Sequence, residues 1–151
     1  MNKTIKARKA YVRKAAARKP ATRKVKVAQV LPRLSLWSDA NFQGRRLRFR
    51  GNLGVRSLVV FNYNDVLSSF DFTGRSTSTL VLFENVNYQG ERRVFRGSTE
   101  VAFLNNFNDR ASSFIISRGR LTNAQIDRIQ TRGSAPDNFA EVLENGTVAR
   151  K

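Results

Sequence analysis

The chain has 151 residues, of which 40% are hydrophobic, enough for one domain with a modest core and some appended segments. It contains no Cys and no His, which excludes disulfides, thiolate metal sites, cysteine nucleophiles and the usual neutral-pH general base. The formal charge of +17 is unevenly spread: residues 1–33 hold 12 Lys or Arg and no Asp or Glu, whereas residues 34–151 hold 16 basic and 11 acidic residues, a net of +5. No apolar run approaches the ~18 residues of a membrane span. No apolar stretch follows the basic start as the core of a signal peptide would, so neither a signal peptide nor a transmembrane segment is expected.

Residues 1–32 read as a basic arm, disordered or extended. An Arg-Lys pair recurs every five residues: Arg8-Lys9, Arg13-Lys14, Arg18-Lys19 and Arg23-Lys24. On a helix a five-residue step turns by about 140°, so successive pairs would point all round the axis. In an extended chain they fall on alternating sides. Either way no apolar face is left, and Pro20 confines any helix to the stretch before it. Charge displayed in every direction suits a polyanion better than a flat membrane. DNA, RNA or another polyanion is the expected partner, contacted by Arg8, Lys9, Arg13, Lys14, Arg18, Lys19, Arg23 and Lys24. In composition the arm is similar to histone tails and to the basic arms of viral coat proteins. The alternatives are a solubilising tail and an organelle presequence. Residues 1–26 lack Ser and are rich in Lys, which fits a presequence poorly.

From about Arg33 to Arg118 the chain reads as β. Leu34, Leu36, Leu47, Phe49, Val59, Phe61, Phe70, Phe72, Leu80, Leu82, Val94, Phe95, Phe103, Phe114 and Ile116 fall in short runs, many with period two, punctuated by Gly, Asn, Asp and Ser. The stretch is also duplicated. WSDANFQGRRLRFRG at 37–51 aligns without a gap with FENVNYQGERRVFRG at 83–97. NYNDVLSSF at 62–70 aligns with NFNDRASSF at 106–114. Two copies of one supersecondary unit follow. At four strands each they predict an all-β fold, an eight-stranded antiparallel sandwich of two Greek keys. Gly44 and Gly90 are expected where the chain turns with positive φ. Each copy ends in Asn-Asp-x-x-Ser-Ser, a cluster rich in oxygen, which points to a hard cation.

Each repeat thus carries an aromatic, four residues, an aromatic, one residue and Gly (Trp37/Phe42/Gly44 and Phe83/Tyr88/Gly90), followed by the Asn-Asp-x-x-Ser-Ser cluster. Over residues 33–119 this resembles the βγ-crystallin family, in particular its microbial calcium-binding members. The resemblance implies a folded β-hairpin with a packed aromatic corner in each repeat. It also implies two Ca²⁺ ions at one end of the domain, with ligands supplied jointly by the two motifs. Carried over, these are Asn64, Asp65, the Val66 carbonyl and Ser68 from the first motif, and Asn108, Asp109, the Arg110 carbonyl and Ser112 from the second. Which of Asn and Asp ligates directly stays open in each cluster. Ser69 and Ser113 are expected to hold the loops by hydrogen bonds. Asn-Asp and Ser-Ser are also common turn formers, and the Arg110 cation would weaken the second site unless it points into solvent.

Residues 120–151 are expected to form two short helices. Thr122 and Gln125 make a capping box for the first, Leu121 and Ile126 a hydrophobic staple, and Gly133 a stop. Ser134 and Asp137 repeat the box for a second helix, DNFAEVLE, which ends at Gly146 with Phe139, Val142 and Leu143 as its apolar stripe. These helices either pack on their own sandwich or dock on a neighbouring subunit, so a homo-oligomer or larger assembly stands among the expected partners. No nucleophile–base pair is visible, and an enzyme is not expected. The function read from the sequence is a non-enzymatic calcium-binding protein with a polyanion-binding arm. A capsid-like structural protein is the alternative, and a protease inhibitor a more distant one.

Overall fold

A computed structural model describes residues 32–150. The eight candidate nucleic-acid contacts of the arm, from Arg8 to Lys24, lie outside the described residues. The first repeat forms β1 (Arg33–Asp39), β2 (Gln43–Arg50), β3 (Leu53–Val55) and β4 (Ser69–Thr73). The second forms β5 (Thr79–Phe83), β6 (Arg92–Arg96), β7 (Thr99–Val101) and β8 (Ser113–Ser117). The repeats interlock by exchanging their third strands. β3 lies among the strands of the second repeat, in the order β3-β8-β5-β6, and β7 lies among those of the first, in the order β2-β1-β4-β7. The expected pair of Greek keys is therefore present, and neither repeat completes its sheet alone.

Alternation along the strands places the core. Leu34 and Leu36 of β1, Phe70 and Phe72 of β4, Leu80 and Leu82 of β5, and Phe114 and Ile116 of β8 face one another between the sheets and are buried. β1 and β4 bury only alternate positions in their central parts, but β5 (TLVLF) and β8 (SFIIS) are buried at every position. Their unbroken apolar centres signal strands covered on both faces. The cover is a second cluster, in which Val81, Phe83, Tyr88 and Ile115 pack against Leu121, Ile126, Ile129, Ala135 and Phe139 of the C-terminal segment. Residues 120–150 thus pack on their own sandwich.

The first C-terminal helix, α1 (Asn123–Arg132), forms as expected. Gln125 N donates to Thr122 Oγ1 at 3.1 Å, and Thr122 N donates to Gln125 Oε1 at 2.8 Å. Gly133 ends it with φ +67°. The second helix is corrected by the structure. β9 (Ala140–Val142) and β10 (Val148–Arg150) stand in its place. β9 adds to β3 in parallel, Leu53 opposite Ala140 and Val55 opposite Val142, and β10 pairs antiparallel with β9. Gly146, expected as a helix stop, sits instead in the β9–β10 turn, with φ +88° and its N–H bonded to the Leu143 carbonyl. Phe139 joins the outer cluster and Val142 the inner one, which a strand allows and a single helical stripe does not. The open edge of β3 offers ladder hydrogen bonds, and these outweigh local helix preference.

Candidate metal centre

The two copies of the aromatic-Gly element fold alike. Asn41 and Phe42 take φ of 59° and 60°, Asn87 and Tyr88 take 56° and 63°, and Gly44 and Gly90 follow at 87° and 85°. Trp37 meets Phe42 edge-to-face at 5.2 Å, and Phe83 meets Tyr88 at 5.5 Å. A Cβ on Gly44 would stand 2.3 Å from Ser38 Oγ, so glycine is required there on steric as well as conformational grounds. The second serine of each cluster locks its hairpin. Ser69 Oγ accepts from Phe42 N (3.0 Å) and donates to the Asp39 carbonyl (2.7 Å). Ser113 Oγ accepts from Tyr88 N (3.0 Å) and donates to the Asn85 carbonyl (2.6 Å). Both serines are fully buried.

The clusters themselves occupy two loops at one end of the sandwich. Asn64, Asp65, Val66 and Ser68 lie between a 3-10 turn at Leu58–Phe61 and β4. Asn108, Asp109, Arg110 and Ser112 lie between a 3-10 turn at Asn105–Phe107 and β8. The loops are joined crosswise: Asp65 N donates to the Ala111 carbonyl and Asp109 N to the Leu67 carbonyl. Asp65 and Asp109 both take left-handed backbone conformations, φ 55° and 57°. The side chains cross as well. Ser68 Oγ donates to Asp109 Oδ1 at 3.1 Å, and Ser112 Oγ donates to Asp65 Oδ1 at 3.1 Å. Each serine therefore meets the aspartate of the other repeat.

Around Ser68 the oxygens outnumber the protons. Its Oγ lies 2.8 Å from the Ser38 carbonyl, 3.1 Å from Asp109 Oδ1 and 3.4 Å from the Val66 carbonyl, all acceptors, and one hydroxyl proton serves one of them at a time. Asn64 Oδ1 and Asn108 Oδ1, at matching positions of the two repeats, are buried and have no hydrogen-bond partner among the described residues. Buried acceptors without donors are costly unless a cation or water meets them. Hard oxygens of this mixed kind, carbonyl, hydroxyl, amide and a single carboxylate, fit Ca²⁺. No three acidic side chains gather into one cage among the described residues. Among the described residues no hydrogen bond joins Asn64 Oδ1 or Asn108 Oδ1 to the crossed Ser–Asp pairs.

The Arg110 side chain is balanced by carboxylates. Its Nη2 donates to Glu84 Oε2 (2.6 Å) and Glu91 Oε1 (2.8 Å), its Nη1 donates to the Asn106 carbonyl (2.8 Å), and its guanidinium lies 5.4 Å from the Phe107 ring centre. The Arg110 hydrogen bond holds the Glu84 carboxyl below its usual range. Arg93, then Arg110, does the same for Glu91. Reading the sequence missed three participants: the Ser38 carbonyl, Glu84 and Glu91. The repeat alignment carried the signal, because Ser38 and Glu84 follow the equivalent aromatics Trp37 and Phe83. At Ser38 the β1–β2 register shifts between Trp37 and Asp39.

No protein-family model matches the chain, and no curated protein does. Among solved structures, one described as "Evolution of the eye lens beta-gamma-crystallin domain fold" shares 30% identity at a TM-score of 0.50, covering 56% of this chain and 84% of its own. The chain belongs to the βγ-crystallin family. Two further βγ-crystallin structures match at a TM-score of 0.46. One, from Ciona intestinalis, is 21% identical, with 54% of this chain and 95% of its own covered. The other, from Clostridium beijerinckii, is 22% identical, with 56% and 97% covered. In this βγ-crystallin the matched share, 56% of the chain, is about the extent of the two repeats.

Proposed function

We propose that this βγ-crystallin binds two Ca²⁺ ions at the paired loops and engages a nucleic acid or another polyanion through its basic arm, without enzymatic activity. The observation that carries the calcium reading is the crossed arrangement of Ser68 with Asp109 and Ser112 with Asp65, beside the buried, unpartnered Asn64 and Asn108 oxygens. In this reading each ion takes the carboxylate of one motif and the hydroxyl of the other. Asn64, the Val66 carbonyl and the Ser38 carbonyl complete the set on the Ser68 side, and Asn108 and the Arg110 carbonyl on the Ser112 side. The ion supplies the positive charge that these oxygens lack. The chain holds them on loops already fixed by backbone bonds and by Ser69 and Ser113, so little ordering is left for binding.

One carboxylate per site keeps affinity modest, with Kd on the order of 10⁻⁵ to 10⁻⁴ M. Binding to the folded state alone raises stability by about 2.7 kcal/mol at a hundredfold excess over Kd. Calorimetric titration of the full chain tests this, with thermal melting alongside. Two sites and a raised Tm are expected. No heat and no change in Tm at millimolar Ca²⁺ would end the reading. The arm reading rests on 12 cations without a counter-charge in residues 1–33. Its non-enzymatic character rests on the absence of His and Cys and of any visible nucleophile–base pair.

A further inference from the structure

The two outer faces of the sandwich differ. The six-stranded sheet is covered by α1 and the segment after it, whereas nothing among the described residues covers the outer face of β2-β1-β4-β7. On that face β1 presents Arg33, Ser35 and Trp37, the residues that alternate with buried Leu34 and Leu36. The β1–β2 register sets Arg50 beside Arg33, Arg48 beside Ser35 and Arg46 beside Trp37. Three arginines therefore stand on every second residue of edge strand β2, about 7 Å apart, with a fourth beside the last. All four are exposed, and none makes an ion pair among the described residues. Arg33, Ser35, Arg46, Arg48 and Arg50 line one open groove, with Asp71 at its far side. Asp71 is cross-strand neighbour to Glu100, so the basic half of the face ends at an acidic border on β4 and β7.

We propose that this arginine ladder is a docking surface for the sugar–phosphate backbone of duplex nucleic acid, separate from the basic arm. Guanidinium forks match phosphate oxygens, and every basic residue from 32 to 150 is Arg rather than Lys. A single strand would call for exposed rings on which bases stack. The face offers none: Trp37 is the aromatic on it, only half-exposed, with the Arg46 guanidinium 5.1 Å from its ring and Phe42 at its edge. A duplex, whose bases are stacked inside, presents mainly phosphates. The arm is not the occupant, because residues 1–32 carry no Asp or Glu and would be repelled. In the sequence the basic arm runs directly into β1 at Arg33.

The test compares four full-length proteins in a salt series with duplex DNA of mixed sequence: wild type, R33Q/R48Q/R50Q, the same three changed to Lys, and one with the eight arm residues changed to Gln. Arg46 is left in place because it also bonds Ser35 Oγ and covers Trp37. The triple Gln protein should melt like wild type. Its slope of log K against log salt should shrink by about 2.7, at about 0.9 per phosphate lost. The Lys protein should keep most of the slope. The arm variant should lose its own share and retain the ladder's, which separates failure of this proposal from failure of the arm reading. An unchanged slope in the triple Gln protein overturns the ladder. So does loss of binding only to phosphatidylserine vesicles, or loss only of self-association in sedimentation. The first of these would mark a membrane surface, and the second a surface where the basic half meets the acidic border of a second copy.

Discussion

Ser68 and Ser69 are adjacent yet have different tasks. Ser68 Oγ faces three oxygens, one from the other repeat, whereas Ser69 Oγ closes the hairpin by one accepted and one donated bond at zero exposure. Ser69→Ala leaves Phe42 N and the Asp39 carbonyl without this partner, and should cost about 1–3 kcal/mol with or without calcium. Ser68→Ala removes a proposed ligand and should raise the calcium Kd roughly tenfold, about 1.4 kcal/mol, while the calcium-free Tm stays nearly unchanged. Melting each variant in chelator and titrating it with Ca²⁺ separates the two. If Ser68→Ala melts early in chelator and binds normally, the clusters are structural loops. The candidate site was legible here because it is duplicated: each cluster alone is an ordinary turn, and the repetition drew attention to it. The crossing of Ser68 to Asp109 was not legible, because it arises from loops that the sandwich brings together over about forty residues of sequence. The Ser38 carbonyl was missed for a related reason, since a backbone oxygen leaves no mark on residue type.

Among the elements, β3 and β7, three residues each, left no alternation to read, and Val59, Phe61 and Phe103, expected in strands, lie in a 3-10 turn or a connection. β1, β2, β4, β5, β6, β8 and α1 could be read from alternation, from the repeat and from one capping box, all local signals that the tertiary structure leaves in force. The C-terminal hairpin could not, because DNFAEVLE has helix-forming residues and its strand state depends on the edge of β3 and on one buried carboxylate. Glu141 is fully buried. Its Oε2 accepts from Tyr88 OH (2.8 Å), Arg56 Nε (3.0 Å) and Ala135 N (2.8 Å), and its Oε1 accepts from Arg56 Nη2 (3.3 Å). A Glu in a predicted helix reads as a solvated position, and nothing local says otherwise. The consequence is a dependence on acid. Burial pushes the Glu141 carboxyl up, but the bonds from Arg56, Tyr88 and Ala135 outweigh it and hold the group below its ordinary value. A carboxyl depressed in the folded state stabilises the fold above the unfolded pKa of about 4.3 and loses that contribution as pH falls through the folded value. The Tm should therefore hold above about pH 5 and fall below about pH 4. Glu141→Ala should cost about 3–5 kcal/mol at neutral pH, since it leaves Arg56 and Tyr88 without their partner. It should also flatten the acid limb of the Tm curve. Glu84 and Glu91 are depressed too and share that pH window, so Glu84→Gln/Glu91→Gln is the control. An acid limb equally steep in Glu141→Ala would remove Glu141 from the account. Tyr88 ties this clamp to the second hairpin, where its buried ring packs on Phe83. Tyr88→Ala should cost about 3–5 kcal/mol by urea unfolding, with calcium or without.

At the scale of the whole molecule, charge and chemistry are segregated. Of the 17 net positive charges, 12 belong to residues 1–33, and the carboxylates of the proposed cation sites belong to the sandwich. The sandwich needs no arm to complete a calcium ligand set, since every candidate ligand lies between residues 38 and 112. The arm has no apolar companion face in its Arg-Lys pairs and nothing with which to read base edges in a defined geometry. Its binding should therefore be electrostatic and indifferent to sequence. Replacing Arg8, Lys9, Arg13, Lys14, Arg18, Lys19, Arg23 and Lys24 by Gln removes eight charges without changing length. Wild type should lose about 10³–10⁵ in affinity for duplex DNA or RNA between 50 and 200 mM salt, the loss expected when six to ten phosphates are neutralised. The eightfold variant should show a much flatter series, with a slope near that of the β2 ladder alone. Its calcium titration should match wild type, because ligands and arm lie in different parts of the chain. Equal salt slopes in the two proteins would remove the arm from recognition and leave it as a solubilising or assembly tail. A changed calcium affinity would mean that the arm's field, screened beyond about 10 Å at 0.1 M salt, reaches the loops through close contact rather than through net charge.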